Sequence, residues 1–206
     1  MTELIDCYLP VFRQVLDMNA EPASYSDYAN ARQECLTRLE RAMQLASQQD
    51  ASEEEKAAAQ FAVIAWVDEA VLCSAMPWRQ RWQSELLQRK YLNMTVAGER
   101  FFTCLAQLDP GYHQARKVFL FCLQNGFHGQ YSTPEDDSAL QEIITQQRTL
   151  CLPESWQTWP NTSTITPTTC GHAVSTPLHK RMLLRAAVTL LLLYGFLLLL
   201  LYHFAN

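Results

Sequence analysis

Three observations predict an all-α fold of about seven helices followed by one C-terminal transmembrane helix. Leu, Ala, Gln and Glu, which favour helices, are abundant in the 206 residues, whereas glycine occurs only six times. Apolar residues recur at intervals of three and four along most of residues 1–150. The chain then ends in a long apolar run that lacks charged residues. This length suits one domain with an appendage, or at most two small domains.

The first two helices are predicted over residues 3–19 and about 25–47. Apolar residues at helical spacing define the buried side of the first helix: Leu4, Ile5, Tyr8, Leu9, Phe12, Val15 and Leu16. Pro10 lies within this helix and predicts a kink, because proline has no N–H for the helical hydrogen bonds. The segment AEPAS interrupts the pattern before the second helix.

The third helix is predicted to be the central, buried one. Ser52 and Glu55 have the spacing of a capping box, in which Ser52 is the N-cap residue and Glu55 reaches back to it. Residues 57–75 are apolar on nearly every side, which is typical of a helix surrounded by other helices. We expect Pro77 to end this helix, since proline cannot continue it.

Four further helices are predicted over residues 78–92, 97–108, 113–125 and 134–150. Trp78 and Trp82 lie four residues apart on one face, so we expect them in the core rather than in a stacking platform. Gly126 is expected at the C′ position that closes the helix over residues 113–125. The short connections between these segments are typical of helical bundles.

The composition changes at residue 153. Thr, Ser and Pro dominate the stretch PESWQTWPNTSTITPTTCGHAVSTP, and helical periodicity stops there. Such a composition predicts an extended linker. We therefore divide the chain into a helical-bundle domain at residues 1–152, a linker at residues 153–179 and a membrane anchor at residues 180–206.

The last segment predicts a membrane-spanning helix. Residues 186–204 contain no Asp, Glu, Lys or Arg, and a helix of roughly 20 apolar residues crosses a lipid bilayer. Lys180, Arg181 and Arg185 flank its N-terminal side, and no positive charge follows. Positive charges favour the cytoplasmic side, so we expect a tail-anchored, single-pass protein of the inner membrane with a cytoplasmic N-terminal domain. The first residues do not resemble a signal peptide.

Charge, cysteines and motifs argue against several function classes. A formal net charge of −5 disfavours nucleic-acid binding, which a basic surface promotes. The seven cysteines are scattered without a C-x-x-C pair, so we interpret them as reduced thiols rather than zinc ligands. The sequence offers no Ser/His/Asp set and no Gly-rich phosphate loop. We therefore expect no catalytic residue, no metal and no cofactor.

Asp68 and Glu69 stand in the apolar stretch FAVIAWVDEAVLCSAMPW, where burying a charge is costly. Neighbours on a helix point about 100° apart, so the two side chains diverge. Three interpretations stay open. Each acid pairs with an arginine, such as Arg79, Arg81 or Arg89, and fixes helix register. Alternatively, the pair lines a cleft that receives a partner protein, or it forms a catalytic dyad, which the divergence disfavours.

Three motifs carry a family resemblance: AWVDEAVLCSAMPW, AGERFFTCLAQL and FLFCLQNGFHGQY. In this order and spacing they resemble the TssL/DotU/IcmH family of bacterial secretion-system membrane proteins. The matching positions are the acidic pair Asp68 and Glu69, then Gly98, Phe101 and Phe102, then Gly126, Phe127, Gly129 and Tyr131. Gln130 departs from the pattern, since the family commonly has arginine there.

The resemblance implies a hook-like cytoplasmic domain of two packed helical bundles and a non-enzymatic role in the type VI secretion membrane complex. The implied partners are a TssM-like inner-membrane subunit, a TssK-like baseplate subunit docking at Asp68 and Glu69, and indirectly a TssJ-like lipoprotein. Homodimerisation through the transmembrane helix is also implied. The alternatives are the type IVB secretion counterpart and a membrane-tethered enzyme that uses Asp68 and Glu69.

Overall fold

The computed structural model describes residues 2–153, and all regular structure in this range is helical. Eight α-helices occur there: α1 (Leu4–Ala20), α2 (Tyr28–Ser47), α3 (Glu53–Leu72), α4 (Arg79–Ser84), α5 (Leu87–Leu92), α6 (Ala97–Gln107), α7 (His113–Gln124) and α8 (Asp137–Cys151). Two short 3-10 helices, Pro22–Tyr25 and Pro134–Asp136, precede α2 and α8. The predicted all-α class is confirmed for the described range.

The central helix is α3, as predicted. It packs against α1, α2, α4, α5, α6 and α7. The Ser52 hydroxyl accepts a hydrogen bond from the Glu55 N–H at 3.1 Å and starts the helix. Every side chain from Phe61 to Asp68 is buried, because apolar residues occupy all sides of this part of the helix.

An aromatic core joins α3 to its neighbours. The Phe12 ring of α1 lies 4.7 Å from the Trp66 ring and 4.6 Å from the Phe121 ring, measured between centroids. The Trp66 indole N–H donates to the Asn125 carbonyl oxygen at 3.1 Å, so its polar atom is satisfied. Trp78 and Trp82 are both buried, which confirms their predicted place in the core.

Several predicted boundaries are wrong. The third helix ends at Leu72, well before Pro77. The Ser74 hydroxyl donates to the Val71 carbonyl oxygen at 2.6 Å and accepts from the Met76 N–H at 3.2 Å. A side chain that bonds to nearby backbone in this way competes with helix continuation.

The predicted helix over residues 78–92 is two helices, which raises the count from about seven to eight. The backbone leaves the helical conformation at Glu85 and is extended at Leu86, with ψ of 139°. The second helix begins at Tyr28 rather than at Tyr25, because the Asp27 carboxylate accepts from the Ala29 N–H at 2.9 Å and caps it. Helix α1 continues through Pro10.

Helices α7 and α8 complete the described part. Gly126 follows α7 with φ of 84°, a left-handed conformation that confirms its predicted C′ role. No helix within residues 2–153 has the length and apolar character needed to cross a membrane. Apart from its first residue, the predicted linker lies outside the described residues, as do the predicted span and its flanking residues Lys180, Arg181 and Arg185.

Candidate functional site

The candidate site is built on Asp68 and Glu69, near the C-terminal end of α3. As predicted from their spacing, the two carboxylates diverge. Asp68 contacts α4 and the start of α5, whereas Glu69 contacts the loop that follows α7. Each holds a segment that is distant in sequence.

Asp68 is fully buried, with 1% of its surface exposed. Its Oδ1 accepts from the Trp82 indole N–H at 2.8 Å and from the Leu87 N–H at 2.9 Å. Its Oδ2 accepts from the Gln88 N–H at 2.8 Å. Leu86, the N-cap residue of α5, has no side-chain oxygen that could accept these N–H groups, so Asp68 caps α5 from another helix.

Burial and the neighbouring polar groups have opposite effects on the pKa of Asp68. Burial raises the pKa of the Asp68 carboxyl above its usual range, because it penalises the charged form. The hydrogen bonds from Gln88, Leu87 and Trp82 and the nearby charge of Arg32 lower the pKa, and burial dominates. Asp68 is therefore a costly buried acid whose donors offset part of that cost.

Glu69 binds the loop after α7 through the loop backbone. Its Oε1 accepts from the His128 N–H at 2.6 Å, and its Oε2 accepts from the Gly129 N–H at 3.0 Å. The His128 Nδ1 atom lies 3.9 Å from the same Oε1. The side chains of Glu69 and His128 remain 21% and 31% exposed, so this contact reaches the surface.

The loop passes very close to the start of α6 at two glycines. A Cβ atom on Gly98 would lie 3.2 Å from the Gly129 Cα, and a Cβ atom on Gly129 would lie 2.7 Å from the Gly98 oxygen. Gly129 also has φ of 53°, in the left-handed region. Gly129 therefore requires glycine for space and conformation, whereas a Cβ atom on Gly98 would be tight against the loop.

Aromatic rings fasten the same loop to α6. The Phe101 and Phe127 ring centroids are 4.0 Å apart, and the Phe102 and Tyr131 centroids are 4.6 Å apart with edge-to-face geometry. The three motifs singled out in the sequence thus meet at one place. We call Glu69 together with residues 126–131 and Gly98 the clasp.

The arginine-pairing hypothesis is wrong for Asp68, whose partners are three N–H groups. Arg79 and Arg89 donate instead to the carbonyl oxygens of Ser74 and Ser84, and Arg81 lies 4.0 Å from Glu85. That the acid fixes helix register stays a prediction.

The two other interpretations fare differently. A catalytic dyad needs both carboxylates near one substrate atom, and these two contact separate segments. Partner binding at Asp68 and Glu69 stays a prediction. In this conformation a partner would reach Glu69 and not the buried carboxylate of Asp68.

The sequence did not reveal two further cross-helix caps. The Glu55 carboxylate reaches α7, not Ser52, and accepts from the Gln114 and Ala115 N–H groups at 2.8 and 3.1 Å. The Gln88 side-chain oxygen accepts from the Ala97 N–H at 2.8 Å, at the start of α6. Apolar or aromatic residues at the N-cap positions, namely Leu86, Val96 and Tyr112, were the signal that caps come from elsewhere.

The described cysteines form no disulfide with one another. Burial raises the pKa of the Cys35 thiol to about 12 and raises that of Cys122 strongly. Within residues 2–153, no three His, Cys, Asp or Glu side chains are grouped as metal ligands.

Comparisons with known proteins agree on one family. The family model described as "Type VI secretion system protein DotU" matches residues 3–205. The cytoplasmic domain of TssL from Acinetobacter baumannii is similar at 25% identity with a TM-score of 0.63, covering 73% of this chain and 97% of that one. TssL from Vibrio cholerae, at 22% identity, supports the fold alone, with a TM-score of 0.61 and coverage of 71% and 94%. No curated protein matches the chain significantly.

Proposed function

Because the chain belongs to the DotU family of type VI secretion system proteins, we propose that it is a non-enzymatic structural subunit of the secretion membrane complex. The family match over residues 3–205 is the observation that carries this proposal. The likeness to the TssL cytoplasmic domain of Acinetobacter baumannii supports it further. No observation favours the type IVB counterpart.

The membrane anchor is the part of this proposal that rests on sequence. Residues 186–204 form the apolar span, and Lys180, Arg181 and Arg185 hold its N-terminal side at the cytoplasmic face of the inner membrane. The helical domain then lies in the cytoplasm, as two bundles in a hook, and the span pairs with a second copy. A TssM-like subunit is the proposed neighbour in the membrane, and a TssJ-like lipoprotein an indirect one.

The clasp is the proposed docking surface for a TssK-like baseplate subunit. Glu69 and His128 are partly exposed, and Gln130 is exposed beside them. Their backbone is fixed by the carboxylate of Glu69 and by the close approach of Gly98 to Gly129. A surface that is ordered before binding loses less conformational entropy when the partner arrives.

A structural role suits the chemistry better than an enzymatic one. The carboxylate of Asp68 already accepts three hydrogen bonds and is shut off from solvent. Glu69 donates no proton in the observed contacts and instead accepts from two backbone N–H groups. A general acid or base must reach a substrate proton, which Asp68 does not do here.

Co-purification from detergent extracts tests the docking surface. The full chain carrying His128→Ala with Gln130→Glu is expected to lose the TssK-like subunit and to retain the TssM-like subunit. Both side chains point to a partly or fully exposed surface, so the fold is expected to persist. Arg41→Glu, at an exposed position on α2, is the control. Unchanged recovery of the TssK-like subunit would contradict the proposal that the clasp is its docking surface.

A truncation tests the anchor separately. A chain ending before Lys180 is expected in the soluble fraction, with mostly helical circular dichroism, while the full chain stays in washed membranes. A reporter enzyme fused to the N-terminus should be active in the cytoplasm. Retention of the truncated chain in washed membranes would contradict a single C-terminal anchor.

A further inference from the structure

A groove of about 690 Å³ lies beside α1, and its lining includes no residue of the clasp. Helix α1 forms one side of the groove, α2 contributes Arg38, α7 contributes Phe121, and the first 3-10 helix contributes Tyr25. Neither Asp68 nor Glu69 takes part. Any ligand of the groove is therefore independent of the docking surface proposed above.

The floor of the groove is apolar. The Phe12 and Phe121 rings meet there with centroids 4.6 Å apart, and Phe12 also packs on Trp66 in the core. Leu9, on the rim, is 42% exposed, which makes it one of the few large apolar side chains with that much exposure in the described range. An apolar side chain from a ligand would bury this surface favourably.

Gln14 supplies an unused hydrogen-bond acceptor. The side chain lines the groove and is only 3% exposed. Its Nε2 donates to the Glu34 carboxylate at 3.5 Å, whereas its Oε1 has no hydrogen-bond partner. Burying an acceptor without a donor is unfavourable, so an N–H group supplied by a ligand would remove this penalty.

The rim carries positive charge. Arg13 lies 3.8 Å from Asp17, in a pair that is largely exposed and hence weak. Arg38 is exposed, lines the groove, and forms no ion pair within residues 2–153. In a chain of net charge −5, this rim selects for a negatively charged group.

We propose that this groove binds a segment of a partner protein that carries a carboxylate beside a large apolar side chain. The apolar side chain packs on Phe12 and Phe121, an N–H of the segment donates to Gln14 Oε1, and the carboxylate pairs with Arg38. The proposal rests on the proposed function only in taking the partner to be another subunit of the secretion apparatus.

A peptide library identifies the preferred segment. Random twelve-residue peptides displayed on phage are selected on the full chain in detergent, and enriched sequences are synthesised with a fluorescent label. We expect enrichment of sequences that combine Asp or Glu with an aromatic residue or Leu. Arg38→Glu and Leu9→Ser should each weaken binding by about tenfold or more, measured by fluorescence anisotropy. Arg41→Glu, exposed on the same helix but outside the groove, should not.

Gln14→Leu gives a readout that general misfolding cannot imitate. Removing an unpaired buried acceptor is expected to leave the free chain as stable or more stable in urea unfolding. The same change should weaken the selected peptides, since their N–H loses its acceptor. Reduced stability together with unchanged peptide binding would overturn the role given to Gln14.

Four outcomes would overturn the proposal as a whole. The first two are that no peptides are enriched, and that wild type and Arg38→Glu bind the selected peptides with equal affinity. The third is that Arg38→Glu loses self-association in sedimentation, and the fourth is that a synthetic peptide of residues 154–179 binds in an Arg38-dependent way. The third would assign the groove to a second copy, and the fourth to the chain itself. None of them bears on co-purification through His128 and Gln130, so the two proposals fail separately.

Discussion

The Asp68 side and the Glu69 side of α3 differ in exposure although both use a carboxylate to hold backbone N–H groups. Asp68 is 1% exposed and accepts three hydrogen bonds around α5. The Glu69 side chain is 21% exposed and holds a loop that reaches the surface. Adjacent acids of one helix can therefore have different surroundings, one in the core and one beside the surface. Substitutions on each side test this division.

Asp68→Ala is expected to have the largest effect. It leaves the Trp82, Leu87 and Gln88 donors buried without an acceptor and should lower the free energy of unfolding by about 3–5 kcal/mol. Urea unfolding followed by circular dichroism measures the change. Asp68→Asn keeps one oxygen and should lose less. A loss below about 1 kcal/mol for alanine would show that this side is not a structural cap.

Gly129→Ala tests the other side through its backbone. The added Cβ would lie 2.7 Å from the Gly98 oxygen at a residue with φ of 53°, so we expect a loss of about 2–4 kcal/mol. Gly111→Ala is the matched control, since its Cβ would meet only the flexible Asp109 carboxylate at 3.2 Å. Equal losses in the two variants would contradict the required approach of the loop to α6.

Glu69→Gln should lower stability by about 1–2 kcal/mol, because one acceptor atom remains and water can reach the other N–H group. Its effect on partner binding should be larger than its effect on stability if the clasp is the docking surface. Unfolding and co-purification of the TssK-like subunit are measured on the same preparation. Co-purification at the wild-type level would show that the loop held by Glu69 is not needed for binding the TssK-like subunit.

The sequence predicted the elements better than their connections. The helical pattern of residues 57–75 predicted a central α3, and Gly126 was correctly placed after α7. The end of α3 was missed because the Ser74 hydroxyl, and not Pro77, stops it. The sequence alone does not show which backbone groups will form hydrogen bonds with a serine hydroxyl.

The partners of the acids were missed for a related reason. Arginine was the expected partner of Asp68, since side-chain charges are visible in a sequence and free backbone N–H groups are not. The N–H groups of Leu87 and Gln88 become available only once the helix breaks at Glu85 and Leu86. The meeting of Gly98 with Gly129 likewise depends on tertiary packing, although the motifs themselves were recognised.

The pH dependence of stability distinguishes the buried acid from a neutral side chain. Burial raises the pKa of the Asp68 carboxyl, so the folded chain holds this proton to higher pH than the unfolded chain does. Its contribution is fully present below the ordinary aspartate pKa and is lost as the pH rises through the raised pKa. As the pH falls from 7 to about 4, the wild type should therefore gain stability relative to Asp68→Asn. Parallel pH profiles of the two proteins would contradict a raised pKa.

The smallest expected effects are changes in the rate of thiol labelling beside Asp68 and beside Glu69. Cys35 is buried close enough to Asp68, and Cys122 to Glu69, for each carboxylate to raise the pKa of its neighbouring thiol. Both thiols should resist a thiol reagent in the native chain, whereas the exposed Cys73 reacts at once. Asp68→Asn should speed labelling of Cys35 more than that of Cys122, and Glu69→Gln should do the reverse, as read by mass spectrometry of peptides. If each variant speeds the labelling of Cys35 and Cys122 equally, the two sides of α3 open as one unit. The difference between buried Asp68 and partly exposed Glu69 would then not extend to local opening.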